Sequence, residues 1–144
     1  MRPSLLGVYF SHMTNDKCIF LVDDDSSSRK GLARLLRAAG HDVRDFASAN
    51  DFLDALGSEH SGCLVPVARR SGISNEEVLE ELEARNIHLP IIVVTGDDDS
   101  ETRRKAQKMK AAGFFRKPVD GPALLDAINW ALQTNMPGAN KEKV

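Results

Sequence analysis

Four side chains in this sequence have the types that phosphoryl chemistry needs: Asp23, Asp24, Thr95 and Lys117. Adjacent acids offer hard oxygen ligands to a divalent cation such as magnesium, which takes few carboxylates and keeps several waters. A threonine hydroxyl and a lysine ammonium both donate to phosphoryl oxygens. Singly, each is commonplace. Acid pairs are usually solvated turns, Thr-Gly is an ordinary strand exit, and Lys-Pro is an ordinary loop opening. Their order along the chain, each at the end of an apolar run, sets them apart.

The elements that must position them alternate from residue 18 onward, short β-rich runs with amphipathic helices. Strands are expected at 18–23, 42–46, 63–67, 91–95 and 113–116, several continuously apolar as strands covered on both faces should be. The first helix follows Ser26-Ser27-Ser28, with Leu32, Leu35, Leu36 and Ala39 on one face and Gly40 to end it. Ser48 with Asp51 opens a second, carrying Phe52, Leu53 and Leu56, and Gly57 closes it. Ser74 with Glu77 forms a capping box for a third, with Val78, Leu79 and Leu82 facing inward. Five such units predict an α/β domain with a parallel sheet. In such sheets ligands gather beyond the carboxyl ends of the strands, where Asp23, Val67, Thr95 and Lys117 all fall.

The last two helices differ in character. The fourth, roughly 99–111, opens with Asp98, Asp99 and Glu101 and continues with Arg103, Arg104, Lys105, Lys108 and Lys110, a distribution that suits the helix dipole. It is poor in large apolar residues, which gives a solvated charged face and a weak anchor. The fifth, about 121–133, sets Leu124, Leu125, Ile128, Ala131 and Leu132 on one stripe, and Trp130 points roughly the other way, as a contact surface would.

Composition limits the rest. The 144 residues, 42% of them hydrophobic, suit one domain, and a net charge of -2 gives no general attraction to nucleic acid or an anionic membrane. Cys18 and Cys63 each open an apolar run, the pattern of buried reduced thiols in an intracellular protein, with a disulfide or metal pair as the alternative. Residues 1–16 show no periodicity and read as a disordered extension, with a docking peptide on Tyr9 and Phe10 as the alternative; residues 134–144 read as linker or tail. The apolar stretch at 5–10 is too short to span a bilayer.

The segments IFLVDDDSSSRKGL, PIIVVTG and AAGFFRKPVDGPALLDAI give the chain, over residues 18–133, a clear resemblance to the receiver domain of bacterial two-component response regulators. The resemblance implies a flavodoxin-like, doubly wound five-stranded parallel sheet of order 2-1-3-4-5 with helices on both faces. It also implies phosphoryl transfer from a histidine kinase to an aspartate. Asp23 and Asp24 would then bind magnesium, Thr95 would sense the phosphoryl group, Lys117 would contact it, and Phe114 would be the mobile aromatic. The Lys117–Pro118 peptide bond would be cis. A sensor histidine kinase or another signalling protein would be the partner, in the cytoplasm, and homodimers would form through the fourth helix, fifth strand and fifth helix. The domain itself would touch neither membrane nor nucleic acid.

The third strand departs from the family's pattern. Where an aspartate and a short loop with proline and glycine are expected, the chain reads Cys63-Leu64-Val65-Pro66-Val67-Ala68-Arg69-Arg70-Ser71-Gly72, which puts Val67 at the phosphoacceptor position. Valine has no nucleophilic atom and ligates no metal. Any magnesium site should therefore be weak, and Lys117 becomes able to pair with Asp23 or Asp24. Ser71 stands where the loop proline is usual, and Pro66 should remove a ladder hydrogen bond. Three functions compete: a pseudo-receiver acting through phosphorylation-independent protein contacts, a working receiver that uses Asp24 or Asp25, and a flavodoxin-like nucleotide or flavin binder. The last lacks a glycine-rich phosphate loop after the first strand.

Overall fold

The structure, a computed structural model, describes residues 17–56, 61–68, 75–96, 100–108 and 110–134. The expected extension 1–16, the tail beyond 134, the Gly57 helix stop, Ser74 of the capping box and the loop residue Ser71 lie outside them.

The chain alternates β1 (Cys18–Val22), α1 (Ser26–Ala38), β2 (Val43–Phe46), α2 (Ala49–Ala55), β3 (Gly62–Ala68), α3 (Asn75–Ala84), β4 (Ile92–Thr95), α4 (Ser100–Lys108), β5 (Gly113–Arg116) and α5 (Gly121–Thr134). All strands are parallel, in the order β2-β1-β3-β4-β5. This is the parallel sheet that the alternation of apolar runs and amphipathic helices predicts, in the order that the resemblance implies.

Two apolar layers explain why the central strands read as continuous runs. Ile19, Leu21, Val65, Ile92 and Val94 point to one face, against Leu32 and Leu36 of α1 and Leu124 and Ile128 of α5. Phe20, Val22, Leu64 and Val93 point to the other, against Phe52, Val78, Leu82 and Ala106 of α2, α3 and α4. Fully burying one such side chain stabilises by about 1.5–3 kcal/mol, so the register follows from the pattern. Among its described residues α4 gives only Ala106 to the core, the weak anchoring expected of it. It is also shorter than the expected 99–111, and the chain turns at Lys110 with φ +56°.

Local chemistry corrects the start of α1. The cap is Asp25, whose Oδ1 accepts from the amides of Ser27 at 3.0 Å and Ser28 at 3.4 Å, so the serine run lies inside the first turn. A carboxylate makes stronger charge-assisted bonds to these amides than a hydroxyl would. Gly40 ends the helix as expected, at φ +96°, with His41 N–H donating to Leu36 O at 3.2 Å. Ser48 caps α2 through the Asp51 amide at 3.0 Å.

Strand β3 has two unusual positions. Gly62, at φ +144°, approaches β1 so closely that a Cβ would lie 1.8 Å from Cys18 O. Pro66 sits mid-strand. In a parallel strand the amides point alternately to the two neighbours; Leu64 N–H donates to Pro90 O at 2.9 Å, so the next amide toward β4 would be that of residue 66, which proline lacks. The β3–β4 ladder accordingly has a bridge at Leu64–Ile91 and resumes only at Val67–Val94. The β1–β3 ladder runs unbroken from Cys18–Gly62 to Val22–Pro66.

Both cysteines are free thiols, Cys63 buried and Cys18 partly so. Among the described residues no helix is long and apolar enough to cross a membrane.

Candidate functional site

The strand register brings the chosen residues together. Val22 pairs with Pro66, which sets Asp23 and Val67, the next residue on each strand, side by side. Val67 pairs with Val94, and Thr95 with Arg116, so Thr95 and Lys117 close the other side of the same crevice. Lys117 N–H donates to Thr95 O at 2.8 Å. The Lys117–Pro118 bond is cis, as the resemblance implies.

Asp23 is the most constrained residue of the group. It is 0% exposed, its N–H donates to Phe46 O at 2.9 Å, and its O accepts from Arg29 Nη1 at 2.8 Å. Its Oδ1 accepts from the Asp25 amide at 3.0 Å, whereas Oδ2 is buried with no hydrogen-bond partner. A buried carboxylate oxygen left unpaired is costly, and a cation or donor entering the crevice would relieve it. Asp24, next to it, is exposed.

Val67 is 4% exposed and packs within the apolar layer of Leu21, Val65, Val94 and Leu124. The carboxyl end of β3 thus carries hydrocarbon at the position in register with Asp23. Among the described residues no cluster of three or more His, Cys, Asp or Glu side chains could hold a metal ion. The acid pair and the orphaned oxygen nevertheless suit a loosely held magnesium completed by water.

Lys117 does not form the expected ion pair with Asp23 or Asp24. Its Nζ donates instead to Ser28 Oγ at 2.5 Å. The reason lies in the cap: Asp25 takes the first-turn amides, which leaves the Ser28 hydroxyl facing the crevice. A neutral hydroxyl also accepts the amine without the desolvation that a buried ion pair requires.

Sequence reasoning missed two residues. Ser28 was hidden in what read as a capping run. Arg29 holds the Asp23 carbonyl and also reaches Asp45 Oδ2 at 3.3 Å, while Arg37 reaches Asp45 Oδ1 at 3.1 Å. The Ser28 contact joins elements 89 residues apart, and no helix or strand spacing signals that of Arg29.

On the flank, half-buried Phe114 pairs with Val93, and the Arg103 guanidinium lies 5.2 Å from the centre of its ring. The two residues line a groove of about 260 Å³ with Ala106, Gln107, Ala111 and Gly113. Trp130 is 49% exposed on α5, away from the buried Leu124, Ile128 and Ala131.

The model of the response regulator receiver domain family matches residues 19–129. Transcriptional regulatory protein TdiR of Thauera aromatica is 39% identical over 128 residues, which are 89% of this chain and 56% of TdiR. Transcriptional regulatory protein FixJ of Azorhizobium caulinodans is 40% identical over 114 residues, 79% of this chain and 54% of FixJ. The chain therefore spans little more than half the length of these relatives. Among solved structures, response regulator StyR superposes with a TM-score of 0.75 at 39% identity, covering 88% of this chain and 64% of StyR. FixJ-N gives 0.75 at 32% identity, covering 83% and 96%. With its sheet order, the crevice at its strand ends and these likenesses in agreement, the chain belongs to the response regulator receiver domain family.

Proposed function

We propose that this receiver domain is a pseudo-receiver, which signals through protein contacts without forming an aspartyl phosphate. The observation that carries the reading is Val67, buried at the end of β3 beside Asp23, where the family's phosphoacceptor is expected. An alkyl side chain offers neither a nucleophile nor a metal ligand, and it adds hydrocarbon where a phosphoryl group would need donors. Thr95 and Lys117 are then remnants of the switch, and Phe114 its aromatic member.

Magnesium is proposed as a weak ligand only. When bound it would be held by Asp23 and Asp24 and would neutralise their charge. The residues themselves keep Asp23 fixed, through Arg29 on its carbonyl and the Asp25 amide on Oδ1.

The partner in this reading is a sensor histidine kinase or another cytoplasmic signalling protein, met by α4, β5 and α5, where a homodimer would also form. The Phe114 groove, the exposed Arg104 and Lys108, and Trp130 support that surface. TdiR and FixJ are named transcriptional regulatory proteins. We carry that role over only as input to such a regulator, with no nucleic-acid contact by this domain.

A second reading rests on the exposure of Asp24, which leaves a carboxylate accessible to a phosphodonor. Asp25 is less suited, since it caps α1. Incubation with a small phosphodonor and magnesium, and separately with a phosphorylated histidine kinase, followed by peptide mapping, tests both. The pseudo-receiver is expected to remain unmodified. A phosphoryl group mapped to Asp24 would establish the second reading in its place.

A further inference from the structure

A charged amine at the mouth of a crevice needs an acceptor, and the position beside Asp23 that would supply one on β3 is hydrocarbon. Ser28 supplies it from α1, 89 residues away in sequence. Three features place its hydroxyl there. Asp25 caps the helix and occupies the amides of Ser27 and Ser28. Arg29, the next residue, ties that first turn to the Asp23 carbonyl and to Asp45 of β2. On the other side, the backbone bond from Lys117 to Thr95 O fixes where the lysine leaves β5.

We infer that Ser28 is the positioning residue of Lys117, a replacement anchor that fastens the β5–α5 connection to α1 in the absence of a carboxylate on β3. This rests on the pseudo-receiver reading and deepens it: loss of the acceptor was accompanied by a new partner for the amine. The anchor is made of groups on the chain itself, so in this reading the connection calls for neither phosphoryl group nor metal to hold it. A carboxylate restored at position 67 would compete with it, because a second buried acid next to Asp23 is tolerated only when a cation such as the Lys117 amine neutralises it.

The test is amine reactivity in a double-mutant cycle. The full chain is treated with limiting acetic anhydride, and acetylation at Lys117 is read by peptide mass spectrometry against exposed Lys108 and Lys110 as internal references. Ser28→Ala is expected to raise Lys117 labelling several-fold over the references, and Ser28→Thr to return it toward the starting level. In a Val67→Asp background the same Ser28→Ala change is expected to have little effect, since the new carboxylate holds the amine.

No change in the natural background overturns the inference, as does an equal increase in both backgrounds. General loosening of the fold would raise labelling of half-buried Lys17 as well and fail to discriminate the backgrounds, which also counts against it. Phosphorylation of the unmodified chain would defeat the pseudo-receiver reading and leave this labelling pattern unchanged, so the two failures are distinguishable.

Discussion

The carboxyl ends of β1 and β3 lie side by side on adjacent strands and are built in opposite ways. At β1, Asp23 is buried yet tied down by the Phe46 carbonyl, the Asp25 amide and Arg29. At β3, Val67 continues the apolar layer up to the same crevice. An aspartate at that position would be a second buried carboxylate beside an oxygen that already lacks a partner, and such pairs require a cation or a proton to be tolerated. The difference teaches that this fold keeps its register from the hydrocarbon of the strands. The chemical residues at their ends are a separate layer, and in the pseudo-receiver reading one of them is lost without loss of the sheet.

Gly62→Ala breaks the comparison most severely, because both strands depend on the approach at their other end. The added methyl would lie 1.8 Å from Cys18 O at a φ that L residues rarely adopt. A loss of more than about 4 kcal/mol is expected, read as a fall in the denaturant midpoint or as failure to fold.

Alkaline pH should weaken β3 next. Burial raises the Cys63 thiol from 9.0 to about 12. Above the lower value the unfolded chain releases this proton and the folded chain keeps it, so stability is fully present below pH 9 and is lost as pH rises toward 12. The span corresponds to roughly 4 kcal/mol at its upper end. Urea titrations between these limits should show the decline, and Cys63→Ala should flatten it.

Val67→Asp should cost about 2–4 kcal/mol in the absence of divalent ions, from a newly buried charge. Added magnesium should recover part of that loss in the variant and do little for the natural chain. Equal stabilisation of both proteins by magnesium would mean that the β1 end alone makes the metal site.

Pro66→Val has the smallest expected effect and sharpens the contrast between the two ladders of β3. The new amide can reach the carbonyl of Ile92, worth about 1 kcal/mol, offset by up to about 1 kcal/mol from a more flexible unfolded chain. Net stability should barely move. Amide hydrogen exchange at residues 92–95 should slow, with residues 18–22 unchanged.

Much of this was legible in the sequence, for physical reasons that can be named. Strands covered on both faces show as apolar runs, and Gly40 and Ser48 act locally, so β1, β3, β4, the end of α1 and the start of α2 could be read from neighbours alone. The strand-end rule then located Asp23, Val67, Thr95 and Lys117 together. Hidden were the contacts in which several groups could serve and one wins. Asp25 displacing the serines as cap, Ser28 taking the Lys117 amine in place of Asp23, and Arg29 bridging to Asp45 each depend on a competition between acceptors that spacing does not reveal. The early end of α4 had the same origin, since a helix with one buried alanine has little packing to fix its length.

Intact mass spectrometry of the natural chain beside Val67→Asp, both incubated with magnesium and a small phosphodonor, confronts the contrast between the two strand ends directly. The natural chain should stay at its starting mass while the variant gains one phosphoryl group at the new carboxylate. A phosphoryl group on the natural chain would contradict the assignment of Val67 as the lost acceptor.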